Sequence, residues 1–163
     1  MHSPPKERES IFIGYVALER VRDDLRALLG IAETRQILYP HADFGAVKVG
    51  TGPPPVRVRD GWLLIYHGID VLPGEEHSEK PIMQYRAAFA ILDAERPDHV
   101  RYRADKPFLT PELPEEMHGI VDNVVFPTAI DPRPDIGEQT FDVYYGMADT
   151  RIGRGRFVLA GKL

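Results

Sequence analysis

The sequence predicts an all-β fold, and three observations carry that reading. Short apolar runs rich in β-branched and aromatic residues recur along the chain, as in Ile11–Leu18, Trp62–Tyr66 and Phe141–Tyr145. Between them stand turn-forming clusters, supplied by 15 prolines and 14 glycines in 163 residues. Helical periodicity is almost absent outside one segment near the N-terminus. Many short strands separated by Gly and Pro turns imply a sandwich, barrel or propeller.

Taken in order, Ile11–Leu18 (IFIGYVAL) reads as a strand weakened only at Gly14. Glu19–Leu29 has two readings: Val21, Leu25, Leu28 and Leu29 fall near one face of a short amphipathic helix, while Arg22, Asp23 and Asp24 suit a turn between strands. Gln36–Tyr39 is a short strand stopped by Pro40, and Phe44–Val49 carries Lys48 into the loop at Gly50. Pro53, Pro54 and Pro55 fix three φ angles and remove three donors, so they form a rigid entry rather than a central strand. Arg59, Asp60 and Gly61 read as a tight hairpin turn, with Asp-Gly tolerating positive φ. Trp62–Tyr66 is then a strand, and His67 and Gly68 are expected where it runs out, at the mouth of a β scaffold.

Val71–Pro81 reads as a solvated loop, Tyr85–Asp93 as a buried strand and Val100–Arg103 as its partner. Lys106–Pro114 is too proline-rich to be regular for long. Val121–Pro127 is a strand, Asp131–Gly137 a connector, Phe141–Tyr145 a strand ended by Gly146, and Arg156–Ala160 a last strand after Gly153 and Gly155. WLLIYHG at Trp62 and FDVYYGMAD at Phe141 echo each other, as strand ends of propeller blades do.

Composition narrows the function. Residues 1–163 suffice for a single domain with a core, and 43% hydrophobic content is ordinary for a globular chain. A net charge of −5 and the lack of a basic block argue against a nucleic-acid partner. Without cysteine there is no disulfide framework and no thiolate nucleophile, which fits a cytoplasmic setting. Met1–Ser10 is polar and reads as flexible, and no apolar stretch approaches membrane-spanning length. His41, His77, His99 and His118 have no ligand spacing, so no metal is assigned.

Four stretches, KVGTGPPP with VRVRDGWLLIYHG, YRAAFAILD, DNVVFPTA and VYYGMADTRIG, resemble glycoside hydrolase family 130, the β-mannosyl phosphorylases and related β-mannosidases. The resemblance extends from about Val47 to Gly153 and implies a partial five-bladed β-propeller, roughly half of the blades, from the C-terminal half of such an enzyme. Arg57, Asp122 and Ala129 depart from the family's usual residues, and the loop after His67 is longer than usual.

By that resemblance Lys48 and His67 hold inorganic phosphate, while Tyr85 and Asp149 contact the mannosyl unit and its neighbour. The chemistry suits them, since an ammonium and an imidazole N–H both donate to a phosphate dianion. The implied reaction is an inverting phosphorolysis of β-mannosides that yields mannose 1-phosphate, with phosphate as co-substrate and no cofactor. The family's proton-donating aspartate and phosphate-binding arginines have no match before Gln36, so a truncated member is implied. Hydrolysis on the same fold and a non-catalytic carbohydrate-binding remnant are the alternatives. Read by pattern alone, His67 is a hydrogen-bonded structural residue, Lys48 a solvated edge charge, Asp149 a turn residue and Tyr85 core. An open half-propeller would expose strand edges and invite association with another copy.

Overall fold

The computed structural model describes residues 9–31, 33–41 and 44–161. The expectation of a flexible N-terminal segment falls mainly on residues 1–8, outside the described residues. The fold is all-β, built on three antiparallel sheets. A two-stranded sheet pairs β1 (Ile11–Gly14) with β2 (Thr34–Leu38). The central sheet contains β3 (Lys48–Thr51), β4 (Val56–Val58), β5 (Gly61–Val71), β6 (Met83–Leu92) and β7 (Val100–Arg103), in which β3 and β4 both pair with β5. The third sheet runs β10-β9-β8, from β8 (Val125–Pro132), β9 (Thr140–Met147) and β10 (Arg151–Val158).

Strands β5 and β6 form the spine because their side chains are apolar on both faces. On one face Leu64, Tyr66, Ala88, Ala90 and Leu92 pack with Ile11, Leu38, Phe44 and Val49. On the other, Leu63, Ile65 and Ile91 meet Phe141, Val143, Phe157 and Leu159 of the third sheet. Burial on both faces reads as a continuous hydrophobic run rather than an alternation. Tyr66 is wholly buried, and its hydroxyl accepts from Nε of Arg103 at 3.1 Å. Beneath the first face, the carboxylate of Asp70 receives the N–H groups of Gly45 and Ala46 and pairs with Arg86 at 2.6 Å. A buried charge held by three donors fixes the loop that leads into β3.

The prolines do what their chemistry requires. They interrupt the strand along the edge of β5, leaving β3 before them and β4 after them.

Several boundaries differ from expectation. Strand β5 does not end at Tyr66 but continues to Val71, so His67 lies mid-strand, between Gly50 on β3 and Ala87 on β6. The ladders on both sides continue past the histidine, and they bury it. The hairpin tip is Arg59-Asp60, closed by Val58 and Gly61 in register; among the described residues neither tip residue has positive φ, whereas Gly61 lies at φ +146°. The strand at Ile11 stops at Gly14, and the Glu19–Leu29 segment becomes α1 (Leu18–Asp23) followed by a 3-10 turn over Leu25–Leu29. Its apolar residues are not covered, since Leu25, Leu28 and Leu29 are exposed.

In the third sheet the glycines sit inside strands. Strand β9 passes through Gly146, and β10 begins at Arg151 and contains Gly153 and Gly155. Gly153 lies over the ring of Tyr145, where a Cβ would approach the ring to 2.5 Å. Strand β8 starts at Val125 and absorbs Asp131 and Pro132, leaving residues 121–123 irregular and Val124 in a single bridge to Tyr85. The short helix α2 (Pro114–Met117) was not foreseen. The two strands that echo each other in sequence, β5 and β9, each occupy the middle of their own sheet.

Candidate functional site

The antiparallel register brings three of the four singled-out residues to one face of the central sheet. Lys48 pairs with Ile69 and Ile69 with Tyr85; Gly50 pairs with His67 and His67 with Ala87. Directly paired residues share a face. Lys48, His67 and Tyr85 therefore lie on adjacent rungs of the same surface, the one turned toward the third sheet.

His67 is 7% exposed. Its ring sits between the β3 backbone at Gly50 and the ring of Phe126 on β8, whose centroid is 4.4 Å away. Tyr85 lies stacked at 6.1 Å on the neighbouring rung. Burial and the positive charge of Lys48 push the imidazole pKa down to about 4, against a smaller opposing contact with the Thr51 backbone. The ring is therefore neutral at pH 7, with one N–H donor and one acceptor nitrogen. Its Nδ1 is buried and has no hydrogen-bond partner. In the tautomer that carries its proton on Nδ1, this orphaned nitrogen would donate to an anion held beside the exposed Lys48 ammonium.

This depressed pKa has a consequence for stability. Between pH 6.5 and about 4 the unfolded chain protonates His67 while the folded chain does not, so stability is present above that window and is lost as the pH falls through it. Replacing His67 with Gln removes this term. The difference in unfolding free energy between pH 7 and about pH 4.5 should be smaller in H67Q by about 2 kcal/mol, discounted for the water that reaches the ring. Urea titrations at the two pH values measure it, and identical pH dependence in the two proteins would show that the ring is not desolvated.

Asp149 is the outlier. It is exposed in the β9–β10 turn, with φ +54°, following Ala148 at +45°. Its link to the other three runs through backbone: Tyr85 N–H donates to the Asn123 carbonyl, and Ala148 N–H donates to the Val124 carbonyl. The turn is thus tethered to the Tyr85 end of β6. Two consecutive residues at positive φ, neither of them glycine, sit in a conformation that side chains disfavour, and such strain clusters at working sites. Asn123, at φ +60°, adds a third in the same cluster.

The residues that sequence reading missed are those holding the histidine. Phe126 lies within the quoted DNVVFPTA stretch, but nothing in its pattern separates a ring that packs on His67 from any strand aromatic. Gly50 was read as part of a loop, and it lies in β3. A cleft of about 500 Å³, lined by Ile13, Tyr15, Glu33, Thr34, Arg35 and Asp98, contains none of the four singled-out residues. Among the described residues no three His, Asp or Glu side chains gather as a metal-binding group, and no helix is long and apolar enough to cross a membrane.

Comparison with known proteins identifies the family. A family model described as β-1,4-mannooligosaccharide phosphorylase, glycoside hydrolase family 130, matches residues 19–159, a span that starts well before Val47. A β-1,2-mannobiose phosphorylase of Thermoanaerobacter sp. (strain X514) is 42% identical over 106 residues, which is 65% of this chain and 30% of that protein. A β-1,4-mannooligosaccharide phosphorylase of Ruminococcus albus is 35% identical over 120 residues, 74% of this chain and 33% of that protein. The solved structure of the Listeria innocua β-1,2-mannobiose phosphorylase in complex with β-1,2-mannobiose superposes with a TM-score of 0.64 at 27% identity, covering 78% of this chain and 32% of that one. The chain therefore spans about a third of the length of the relatives that it matches. Four residues converge only in part, but the family match covers most of the chain, and the chain belongs to glycoside hydrolase family 130.

Proposed function

We propose that this chain forms the phosphate-side part of a β-mannoside phosphorylase, in which Lys48 and His67 hold inorganic phosphate and Tyr85 and Asp149 contact the mannosyl unit. The observation that carries it is the orphaned Nδ1 of His67, buried on the same sheet face as Lys48. The reaction is an inverting transfer. A phosphate oxygen attacks the anomeric carbon from one side while an acid on the other side protonates the departing glycosidic oxygen, giving mannose 1-phosphate and a shortened acceptor. Lys48 would orient phosphate by charge, and neutral His67 would donate one hydrogen bond to it. Tyr85 offers a ring face and hydroxyl to the sugar, and the carboxylate of Asp149 accepts from sugar hydroxyls. No residue of this chain is assigned as the proton donor. No cofactor is assigned.

The finer architecture belongs to the same proposal. The meander β5-β6-β7 and the meander β8-β9-β10 are supports for blades of a five-bladed β-propeller, of which this chain would hold roughly half. Association through the uncovered strand edges and a cytoplasmic setting complete the reading.

The test is incubation with β-mannooligosaccharides, with and without phosphate, assayed for mannose 1-phosphate. Phosphate-dependent product supports the proposal. Free mannose released without phosphate would favour hydrolysis, and sugar or phosphate binding without turnover would favour the non-catalytic remnant. Within the proposal, Lys48→Ala should weaken phosphate binding about tenfold or more, the loss of one charge-assisted hydrogen bond. Calorimetric titration with phosphate reads that directly, and an unchanged affinity would remove Lys48 from the site.

A further inference from the structure

The imidazole of His67 occupies space that any other residue at position 50 would fill. A Cβ built on Gly50 would stand 2.5 Å from both Cε1 and Nε2 of the ring, closer than such contacts occur, and 3.5 Å from Nδ1. On the opposite side the ring of Phe126 lies with its centroid at 4.4 Å, tilted by 36°. These two contacts come from different sheets: Gly50 is the rung partner of His67 on β3, and Phe126 belongs to β8. Together they leave the imidazole a slot rather than a range of rotamers.

We infer that Gly50 is a positioning residue for the phosphate site: the absence of a side chain there makes the slot that holds the His67 imidazole edge against β3, and Phe126 closes the slot from the third sheet. The inference rests on the phosphate role proposed for His67 and deepens it. A neutral imidazole has a single N–H to offer, so its contribution to anion binding depends on where that bond points. A ring held from both sides presents it without a further loss of rotamer freedom on binding. Nε2 is the ring nitrogen that faces β3 at Gly50, so the unpartnered Nδ1 is the atom that must carry the single N–H to reach phosphate.

The experiment is phosphate affinity of the full chain, measured by calorimetry, combined with the ¹⁵N signals of the His67 ring during the same titration. Gly50→Ala should raise the phosphate dissociation constant about tenfold and change the ring's tautomer signature. In an H67A background, where the ring is gone and the added methyl group has room, Gly50→Ala should alter phosphate affinity less than about twofold, since residues acting through one another are not additive. Phe126→Leu provides a second route, with the same direction of change. A wild-type affinity in folded G50A or in F126L would overturn the positioning role, as would an equal loss in the H67A background. Should G50A fail to fold, the slot predicts that G50A/H67A folds, and F126L then carries the affinity test. If phosphate moves no ring signal in the unsubstituted protein, the phosphate reading itself fails and the positioning role falls with it.

Discussion

Gly61→Ala should lower the stability of this chain by about 3–5 kcal/mol, because it combines a forbidden backbone angle with an overlap against backbone. Gly61 has φ +146°, in the region that essentially only glycine occupies. A Cβ there would stand 2.0 Å from the carbonyl oxygen of Leu92, its near neighbour across the β5–β6 ladder. That oxygen cannot swing away as a side chain would, so either β6 shifts or the β4–β5 hairpin opens. Both alternatives disturb Leu63, Ile91 and Val58, which are buried in the core between the two sheets. Urea unfolding of G61A against the unsubstituted chain measures the effect. A loss below about 1 kcal/mol would mean that the hairpin is free to relax and that its tip does not set the register of the spine.

The same residue shows what is legible in a sequence and what is not. Asp-Gly marks a hairpin, and a hairpin is there. The pattern cannot say that Gly61 stands outside the tip, because that depends on how Leu92 approaches from the neighbouring strand β6, distant in sequence. His67 follows the same logic at the other end of the strand. Five apolar residues followed by a histidine look like a strand reaching solvent. The strand continues because β3 and β6 supply ladder partners for Gly68 and Ile69, and those partners are non-local. Alternation would have revealed it in a strand with one wet face, but β5 is buried on both faces. The glycines of β10 were read as breaks for a related reason: a glycine that makes room for the Tyr145 ring has the same letter as one that makes a turn. The site residues were reached differently. Lys48, His67, Tyr85 and Asp149 carry no pattern that separates them from a surface charge, a structural histidine, a core ring and a turn residue. Only the resemblance of four quoted stretches singled them out, and the register then placed three of them together.

Glu116→Ala should be the other strongly destabilising change, at about 3–5 kcal/mol. Glu116 is 2% exposed, in a helix of one turn that sequence patterns did not foresee. One carboxylate oxygen accepts the Tyr145 hydroxyl at 2.8 Å, and the other accepts the N–H groups of Glu112 and Leu113 at 2.9 and 3.1 Å. Removing the carboxylate strands three donors at once, two of them at the start of the helix, where backbone N–H groups have no partner within it. The Tyr145 hydroxyl is held in its neutral, donating form, since burial and the neighbouring Glu116 carboxylate raise its pKa to about 12. What depends on this network is the position of the segment that follows. The N–H of Val124 donates to the Glu116 carbonyl, Val124 bridges Tyr85, and Val124 in turn accepts from Ala148 beside Asp149. Glu116 thus secures a backbone route that joins Tyr85 to the Asp149 turn. Glu116→Gln keeps an oxygen for the backbone donors and should recover more than half of the loss, whereas Tyr145→Phe removes only one of the three bonds. A double-mutant cycle between positions 116 and 145, read by thermal or urea unfolding, should show coupling of about 1–2 kcal/mol. Strict additivity of the two substitutions would show that the hydroxyl and the carboxylate do not interact, and the anchoring of the Asp149 turn would then need another cause.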